Sequence, residues 1–312
     1  MLAPPWHQTC AMLLGDTLMA FTLRSTLRLL LKPALSPRLP LAWQRRWLGM
    51  LSGIGRLPRG IARRDATEAG VVVERWEERA AIAAAACTLL FLHGGAYCVG
   101  SPRTHRPLAA WLARTCGLPV VVPDYRLAPE HPFPAALEDA WAVYDALSAR
   151  GPVLLAGDSA GGGLALALAL QLRDRGRKPP LGLVLLSPWV DLRAAQQPPP
   201  VPGEAMLSAD WMQACAAHYS AGAVDDPRVS PLLADLRGLP PVLLQCGTDE
   251  LLCVQARALD AALRVAGVDS TLEVAEGRWH VYQLHAGQLP SADAAVGRIA
   301  AFAGRCRQDA RA

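Results

Sequence analysis

Short, uninterrupted apolar runs alternate with amphipathic helical ones through most of the chain. Thr88–Leu92, Val120–Pro123, Val153–Ala156, Leu183–Leu186, Val242–Gln245 and Thr271–Val274 read as strands. Between them Leu108–Cys116, Phe133–Ala149, Leu164–Arg175 and Val254–Ala266 have helical periodicity, and Ala292–Gly304 closes the series. Strands this continuously apolar leave no face for water. The pattern therefore predicts an α/β fold, a mostly parallel central sheet with helices on both faces. Its β-rich section opens at Val71-Val72-Val73, after the break at Pro58-Arg59-Gly60.

Two amphipathic helices precede the sheet. Leu23, Leu27, Leu30 and Leu31 fall on one side with Arg24, Arg28 and Lys32 on the other, and Trp43, Trp47, Met50 and Leu51 repeat that spacing. No period is visible before Met19, so that stretch reads as a tail or as an extension from an upstream start codon. A Pro-rich break at Gln196–Gly203 leads into a helical stretch, Glu204–Ala221, which interrupts the alternation between two strands. With the leading helices it reads as a helical cap over the carboxyl edge of the sheet, where open α/β sheets place ligands. The expected organisation is a poorly ordered tail over 1–22, cap helices over 23–70, and an α/β domain over 71–312 with a cap insert at about 193–225.

Composition narrows the classes. With 312 residues, 52% hydrophobic, 26 Gly and 26 Pro, the chain is neither disordered nor a coiled coil. It is long enough to bury a core without disulfides or metals. No stretch of about 18 apolar residues runs uninterrupted, so stable membrane insertion is not expected. The net charge is +4, but residues 1–64 hold ten Lys/Arg and one acid, Asp16. The first reading of that segment is the solvated face of packed helices, with peripheral contact with an anionic surface left open. No homeodomain, zinc-finger or RNP pattern accompanies it, and nucleic acid is not an expected partner. The eight cysteines show no C-x-x-C and read as reduced, buried residues of a cytoplasmic protein. The first residues lack a positive n-region and Asp16 interrupts the apolar run, so a secretory signal is not expected.

Candidate chemistry centres on Gly157-Asp158-Ser159-Ala160-Gly161, a G-x-S-x-G between a predicted strand and a predicted helix. A serine at such a turn is lifted above the sheet at a helix start, whose N–H groups favour developing negative charge. His93-Gly94-Gly95-Ala96 follows an earlier strand and supplies a close-approaching backbone for an oxyanion. Gly95, Ala96 and Ala160 are the expected donors, with Gly94 allowing the bend. His93 precedes the serine and reads as orienting the loop. The hydrolase order of serine, acid, histidine then points to the turn after Val242–Gln245, where Asp249 and Glu250 compete. The shorter side chain directly after Gly247-Thr248 favours Asp249. His280, after the last strand, is the expected base; His285, five residues on, is expected to face elsewhere. Asp158 reads as scaffolding, and Asp124, Arg126 and Glu130 as a charge network under the oxyanion loop. Tyr97, Trp189, Met206 and Trp211 are candidates for an apolar substrate pocket, with a plain core role equally open.

Several motifs in series carry a resemblance. His93-Gly94-Gly95-Ala96-Tyr97, the run from Asp124 to Ala135, Gly157–Gly163, Leu186–Leu192, Gly247–Leu252 and His280-Val281-Tyr282 are together similar to the bacterial hormone-sensitive-lipase family of α/β-hydrolases. The resemblance covers about residues 23–304, with the motifs confined to 71–285. It implies the α/β-hydrolase fold, a Ser159-His280-Asp249 triad, hydrolysis of short- to medium-chain carboxylic esters, and no metal or organic cofactor. The partner it implies is a small-molecule ester; a homodimer, common in the family, is left open. Ala96 stands where the family more often has a third glycine. A lactone hydrolase or an amidase uses the same triad and stays as an alternative, ahead of a non-catalytic receptor of the same fold.

Overall fold

The computed structural model describes residues 5–52, 55–79, 87–193 and 201–310, with side chains from Asp16 onward. Eight strands form one sheet in the order β1-β2-β4-β3-β5-β6-β7-β8. These are β1 Ile61–Glu68, β2 Val71–Glu78, β3 Thr88–Leu92, β4 Val120–Pro123, β5 Val153–Asp158, β6 Leu183–Leu186, β7 Val242–Gly247 and β8 Ser270–Ala275. From β4 to β8 all neighbours are parallel, while β2 runs antiparallel to both β1 and β4. The expected mostly parallel sheet is present. Its first strand was not legible: β1, Ile-Ala-Arg-Arg-Asp-Ala-Thr-Glu, is an edge strand with charged residues facing water. The boundary between cap and sheet therefore lies near residue 60 rather than 70.

Successive residues of a strand point to opposite faces, and here both faces are covered. Leu90 and Leu92 of β3 with Val153 and Leu155 of β5 pack on one side, beneath α4 (Ala135–Ser148), α5 (Ala160–Asp174) and α7 (Cys253–Val265). Leu89 and Phe91 with Leu154 and Ala156 pack on the other, beneath α3 (Arg106–Cys116) and α8 (Pro290–Asp309). This double burial is why the strands read as unbroken apolar runs.

The cap is built from α1 (Pro5–Thr26), a wider helical turn over Leu27–Leu31, α2 (Leu41–Leu51) and α6 (Ala209–Ser220) of the insert. Of the stretch expected as a tail, residues 5–22 belong to α1, which begins at Pro5, and residues 1–4 lie outside the described residues. Asp16 explains its docking: the carboxylate pairs with Arg278 and accepts the Ser291 amide at 3.0 Å, in the first turn of α8 where negative charge is favoured. Gln44 of α2 is fully buried and joins the two halves of the cap. Its amide nitrogen donates to the Ser36 and Leu39 carbonyls, and its oxygen accepts the Trp211 indole N–H of α6 at 2.9 Å. Residues 80–86, which are rich in alanine, and the Pro-rich start of the insert over 194–200 lie outside the described residues.

The sheet brings β3 and β5 side by side, and the turn after β5 is compact. At Gly161 an added methyl would overlap the carbonyl oxygen of Leu92, the last residue of β3. Gly161→Ala is expected to destabilise the fold by about 1–3 kcal/mol or more, as overpacking against backbone does. Thermal denaturation measures it; an unchanged midpoint would contradict the approach described.

Candidate active site

Ser159 sits between β5 and α5 with φ 53° and ψ −123°, a backbone conformation that few non-glycine residues adopt. Ser159 N–H donates to the Leu186 carbonyl of β6 at 2.8 Å, and its own carbonyl accepts from Gly163 and Trp189. These bonds hold the turn, and the side chain is left at the start of α5, where the helix dipole favours an anion.

The loop after β3 faces it. Gly95, Ala96 and Tyr97 all have positive φ, at 123°, 51° and 60°. The amides of Gly95, Ala96 and Ala160 donate to no acceptor among the described residues, as an oxyanion hole requires. Gly94 does not share that role. Its N–H donates to Asp158 Oδ1 at 2.8 Å, so Gly94, grouped with the oxyanion residues as the bend of the loop, is a support and not a donor. Asp158 is buried beside the nucleophile and also contacts His105 Nε2 at 3.1 Å. Burial alone would lower the His105 pKa, but the Asp158 charge and hydrogen bond raise it above the ordinary value. His93 does orient the loop: its ring stacks on Tyr125 at 4.2 Å and Nδ1 lies 2.8 Å from the Gly94 carbonyl. Its pKa is pulled down to about 3 by burial and by His105, so the ring is neutral.

His280 is buried in the turn after β8. Facing its Nδ1 at 3.9 Å is Glu250 Oε1, and neither atom has another partner. The other carboxylate oxygen of Glu250 is held by the Ser187 hydroxyl at 2.8 Å and the Gly247 amide at 3.2 Å. Ser187 Oγ in turn accepts the Val281 amide at 3.1 Å, tying the acid to the residue after the base. At 3.9 Å the pair is an ion-pair contact. Burial draws the His280 pKa down, but hydrogen bonding and charge from Glu250, then the charges of Glu204 and Asp158, leave it above the ordinary histidine value.

Asp249, expected as the acid, points the other way. Its carboxylate pairs with Arg24 of α1 at 2.7 Å and is 22% exposed, whereas Glu250 is buried. The Thr248–Asp249 turn spends its amides on Ala275 and Arg278 carbonyls, which turns residue 249 toward the cap and residue 250 toward the imidazole.

Ser159 and His280 line one cavity of about 270 Å³ with Gly95 and Ala96. Its walls are apolar, made by Leu23, Leu27 and Leu31 of the cap and by Met206, Leu207 and Trp211 of the insert. Met206 and Trp211 are thus at the pocket as expected. Tyr97 and Trp189 are not: Tyr97 stacks on Tyr219 at 3.6 Å, and both are core residues behind the loops. His285 lines the cavity after all, its pKa drawn down to about 4 by burial.

Comparison with known proteins decides the family. Residues 89–284 match the family described as alpha/beta hydrolase fold. An acetyl-hydrolase of Streptomyces hygroscopicus is 42% identical over 224 residues, 69% of this chain and 74% of that protein. An esterase of Acinetobacter venetianus is 38% identical over 237 residues, 73% of this chain and 78% of its own length. The crystal structure of an esterase from the bacterial hormone-sensitive lipase family superposes with TM-score 0.84 at 37% identity, covering 91% of this chain and 97% of that one. The chain belongs to the bacterial hormone-sensitive-lipase family of α/β-hydrolases.

Within this family member several supports escaped the sequence. Glu204 is a buried carboxylate that accepts the Met206 and Leu207 amides at 2.7 and 2.9 Å and the Leu251 amide at 2.9 Å, joining the pocket wall to the acid turn. Ser187 and His105 are likewise visible only once distant segments meet. The expected network of Asp124, Arg126 and Glu130 is not one network: Glu130 pairs with Arg45 at 2.7 Å and Arg126 with Asp139 at 2.8 Å.

The base must be neutral to take a proton, so kcat/KM is expected to rise with pH through a value above the ordinary histidine range. Glu250→Gln removes the charge that lifts His280 while burial remains. It is expected to lower kcat by about 10³–10⁴-fold and move that limb to lower pH. Asp249→Asn loses one partly exposed ion pair and is expected to change kcat by less than about tenfold. pH–rate profiles of both variants distinguish the two carboxylates, and the reverse ranking would restore Asp249.

Proposed function

We propose that this ester hydrolase cleaves short- to medium-chain acyl esters, with Ser159 as nucleophile, His280 as general base and acid, and Glu250 as the carboxylate that orients and stabilises the imidazolium. Serine-dependent hydrolysis of carboxylic esters is the chemistry of the family to which the chain belongs. The observation that carries the residue assignment is the mutual facing of His280 Nδ1 and Glu250 Oε1, each without another partner, beside a cavity that Ser159 shares.

In this reading Ser159 Oγ attacks the ester carbonyl as His280 takes its proton. The oxyanion is held by the amides of Gly95, Ala96 and Ala160. The alcohol leaves with the proton from His280, and a water activated by the same ring releases the acid. Glu250 stays ionised while the ring is charged. The chain-length reading rests on the cavity: about 270 Å³ is below the usual 300–1,000 Å³ of ligand pockets, and its walls are leucine-rich. The small-molecule ester is the partner that such a pocket takes. We place the enzyme in the cytoplasm on its cysteines, since all seven with described side chains are free thiols.

Ser159→Ala is expected to lower kcat by about 10⁴–10⁶-fold with an unchanged thermal midpoint. A serine-reactive phosphonate is expected to label the wild type and not the variant. Across p-nitrophenyl esters of increasing acyl length, kcat/KM is expected to peak at short to medium chains and fall for long ones. Near-full activity in the alanine variant would refute the nucleophile; a lactone or amide hydrolysed faster than any ester of the series would refute the substrate class.

A further inference from the structure

The outer face of the cap combines exposed apolar side chains with unneutralised positive charge. Leu18 and Phe21 on α1 are each 70% exposed, and Leu29 just beyond is 74% exposed. Their spacing places them on the side of the helix opposite Ala20, Leu23 and Leu27, which face the body of the protein. On α2, Trp43 and Met50 are exposed, and Trp43 stacks on Trp47 at 5.5 Å. The Trp47 indole donates to the Leu30 carbonyl at 2.9 Å, which joins the two stripes into one surface.

Residues 17–64 contain no Asp or Glu. Three of the basic residues there turn inward: Arg24 to Asp249, Lys32 to the Glu204 carbonyl and Arg45 to Glu130. Arg28, Arg38, Arg46, Arg56 and Arg59 are exposed and form no ion pair among the described residues. Helical spacing sets Arg28 beside Phe21 and Arg46 beside Trp43 and Met50. An apolar surface carrying these guanidinium groups is poorly suited to a second copy of itself, since a two-fold contact would bring like charges together. An anionic lipid leaflet offers both complements at once, negative headgroups for arginine and an acyl boundary for leucine, phenylalanine and tryptophan.

We propose that the outer face of the cap docks reversibly on an anionic lipid surface. Phe21, Leu29, Trp43 and Met50 enter the headgroup boundary while Arg28 and Arg46 engage lipid phosphates. No helix among the described residues is long and apolar enough to cross a membrane, so the contact is peripheral. Leu30 belongs to both surfaces, being 45% exposed and also in the wall of the catalytic cavity. Docking therefore sets the cavity beside the lipid. The binding itself does not depend on the ester-hydrolase reading.

The test is co-sedimentation of the full chain with vesicles of phosphatidylcholine alone or mixed with phosphatidylglycerol, at low and raised salt. Binding is expected only with phosphatidylglycerol and is expected to weaken with salt. An arginine near such a surface is worth about a fivefold change in partitioning, so Arg28→Glu/Arg46→Glu should lower binding by at least about tenfold. Phe21→Ser/Leu29→Ser should lower it as well. Neither pair lines the cavity, so both variants should hydrolyse a soluble short ester as the wild type does, and Ser159→Ala should bind vesicles undiminished. Absence of binding to phosphatidylglycerol vesicles at low salt, or undiminished binding of both variants, overturns the proposal. So does a wild-type dimer in size-exclusion chromatography that Phe21→Ser/Leu29→Ser converts to monomer, which would make the face an interface between copies.

Discussion

A buried carboxylate with one oxygen occupied and one left free is the interaction on which the site depends. A carboxylate buried as Glu250 is needs hydrogen-bond partners to offset its lost hydration. Ser187 and Gly247 satisfy one oxygen, and among the described residues the imidazole of His280 faces the other. The turns that carry acid and base are locked to each other. Asp249 N–H donates to the Arg278 carbonyl at 2.9 Å, Thr248 N–H to Ala275 at 3.0 Å, and Gly277 N–H to Thr248 Oγ1 at 2.8 Å. An error in one turn is therefore an error in the other, and the geometry of proton transfer is set by backbone bonds between the ends of β7 and β8. Low dielectric makes the arrangement worth the desolvation it costs, because the same burial strengthens the attraction once imidazolium forms.

A second buried Asp–His pair works on the opposite side of Ser159. Asp158 follows directly from β5, yet its carboxylate reaches across to Gly94 and His105 rather than to the catalytic imidazole. The loop it holds carries three consecutive positive φ angles, which is strain that surrounding structure must over-determine. Tyr125 adds to this by donating its hydroxyl to the His93 carbonyl at 2.5 Å. Asp158 and the loop after β3 are thus one unit, and within it the two histidines are shifted in opposite directions, His93 downward by burial and by His105, and His105 upward by the Asp158 charge and hydrogen bond against its burial.

The core strands were legible because burial on both faces leaves an unbroken apolar run, and three of them begin and end where the pattern put them. β1 escaped because an edge strand with Arg63, Arg64 and Asp65 in its middle has no such run. Motif and order drew Ser159 and His280 out of the sequence, and both line one cavity. The carboxylate facing His280 was not legible, since Asp249 and Glu250 are adjacent and only the path of the turn decides which faces inward. The periodicity put Arg24 on the polar side of the first helix, whereas it turns inward and pairs with Asp249 at 2.7 Å. Tyr97 and Trp189 were misplaced for a related reason. An aromatic beside a catalytic motif packs against the loop from behind as readily as it lines the cavity, and the difference is one of backbone direction, which at Tyr97 is set by its positive φ.

The cap is where sequence asymmetry and site geometry meet. A leading segment rich in arginine and poor in acid could not fold onto an acidic body by hydrophobic contact alone without leaving charge unresolved. Its inward cations are used as attachments, Arg24 at the acid turn, Lys32 at the insert and Arg45 at the Cys98 and Ala128 carbonyls beside the oxyanion loop. Two of these attachments end next to residues that line the cavity, Lys32 beside Met206 and Leu207, and Arg45 beside Val99. Arg24 thereby fastens the first helix to the residue next to Glu250, and Arg45 fastens the second to the loop after β3. Leucines between those cations close the pocket from above, so a single amphipathic stretch supplies the roof, its fastenings and an outward face of different character.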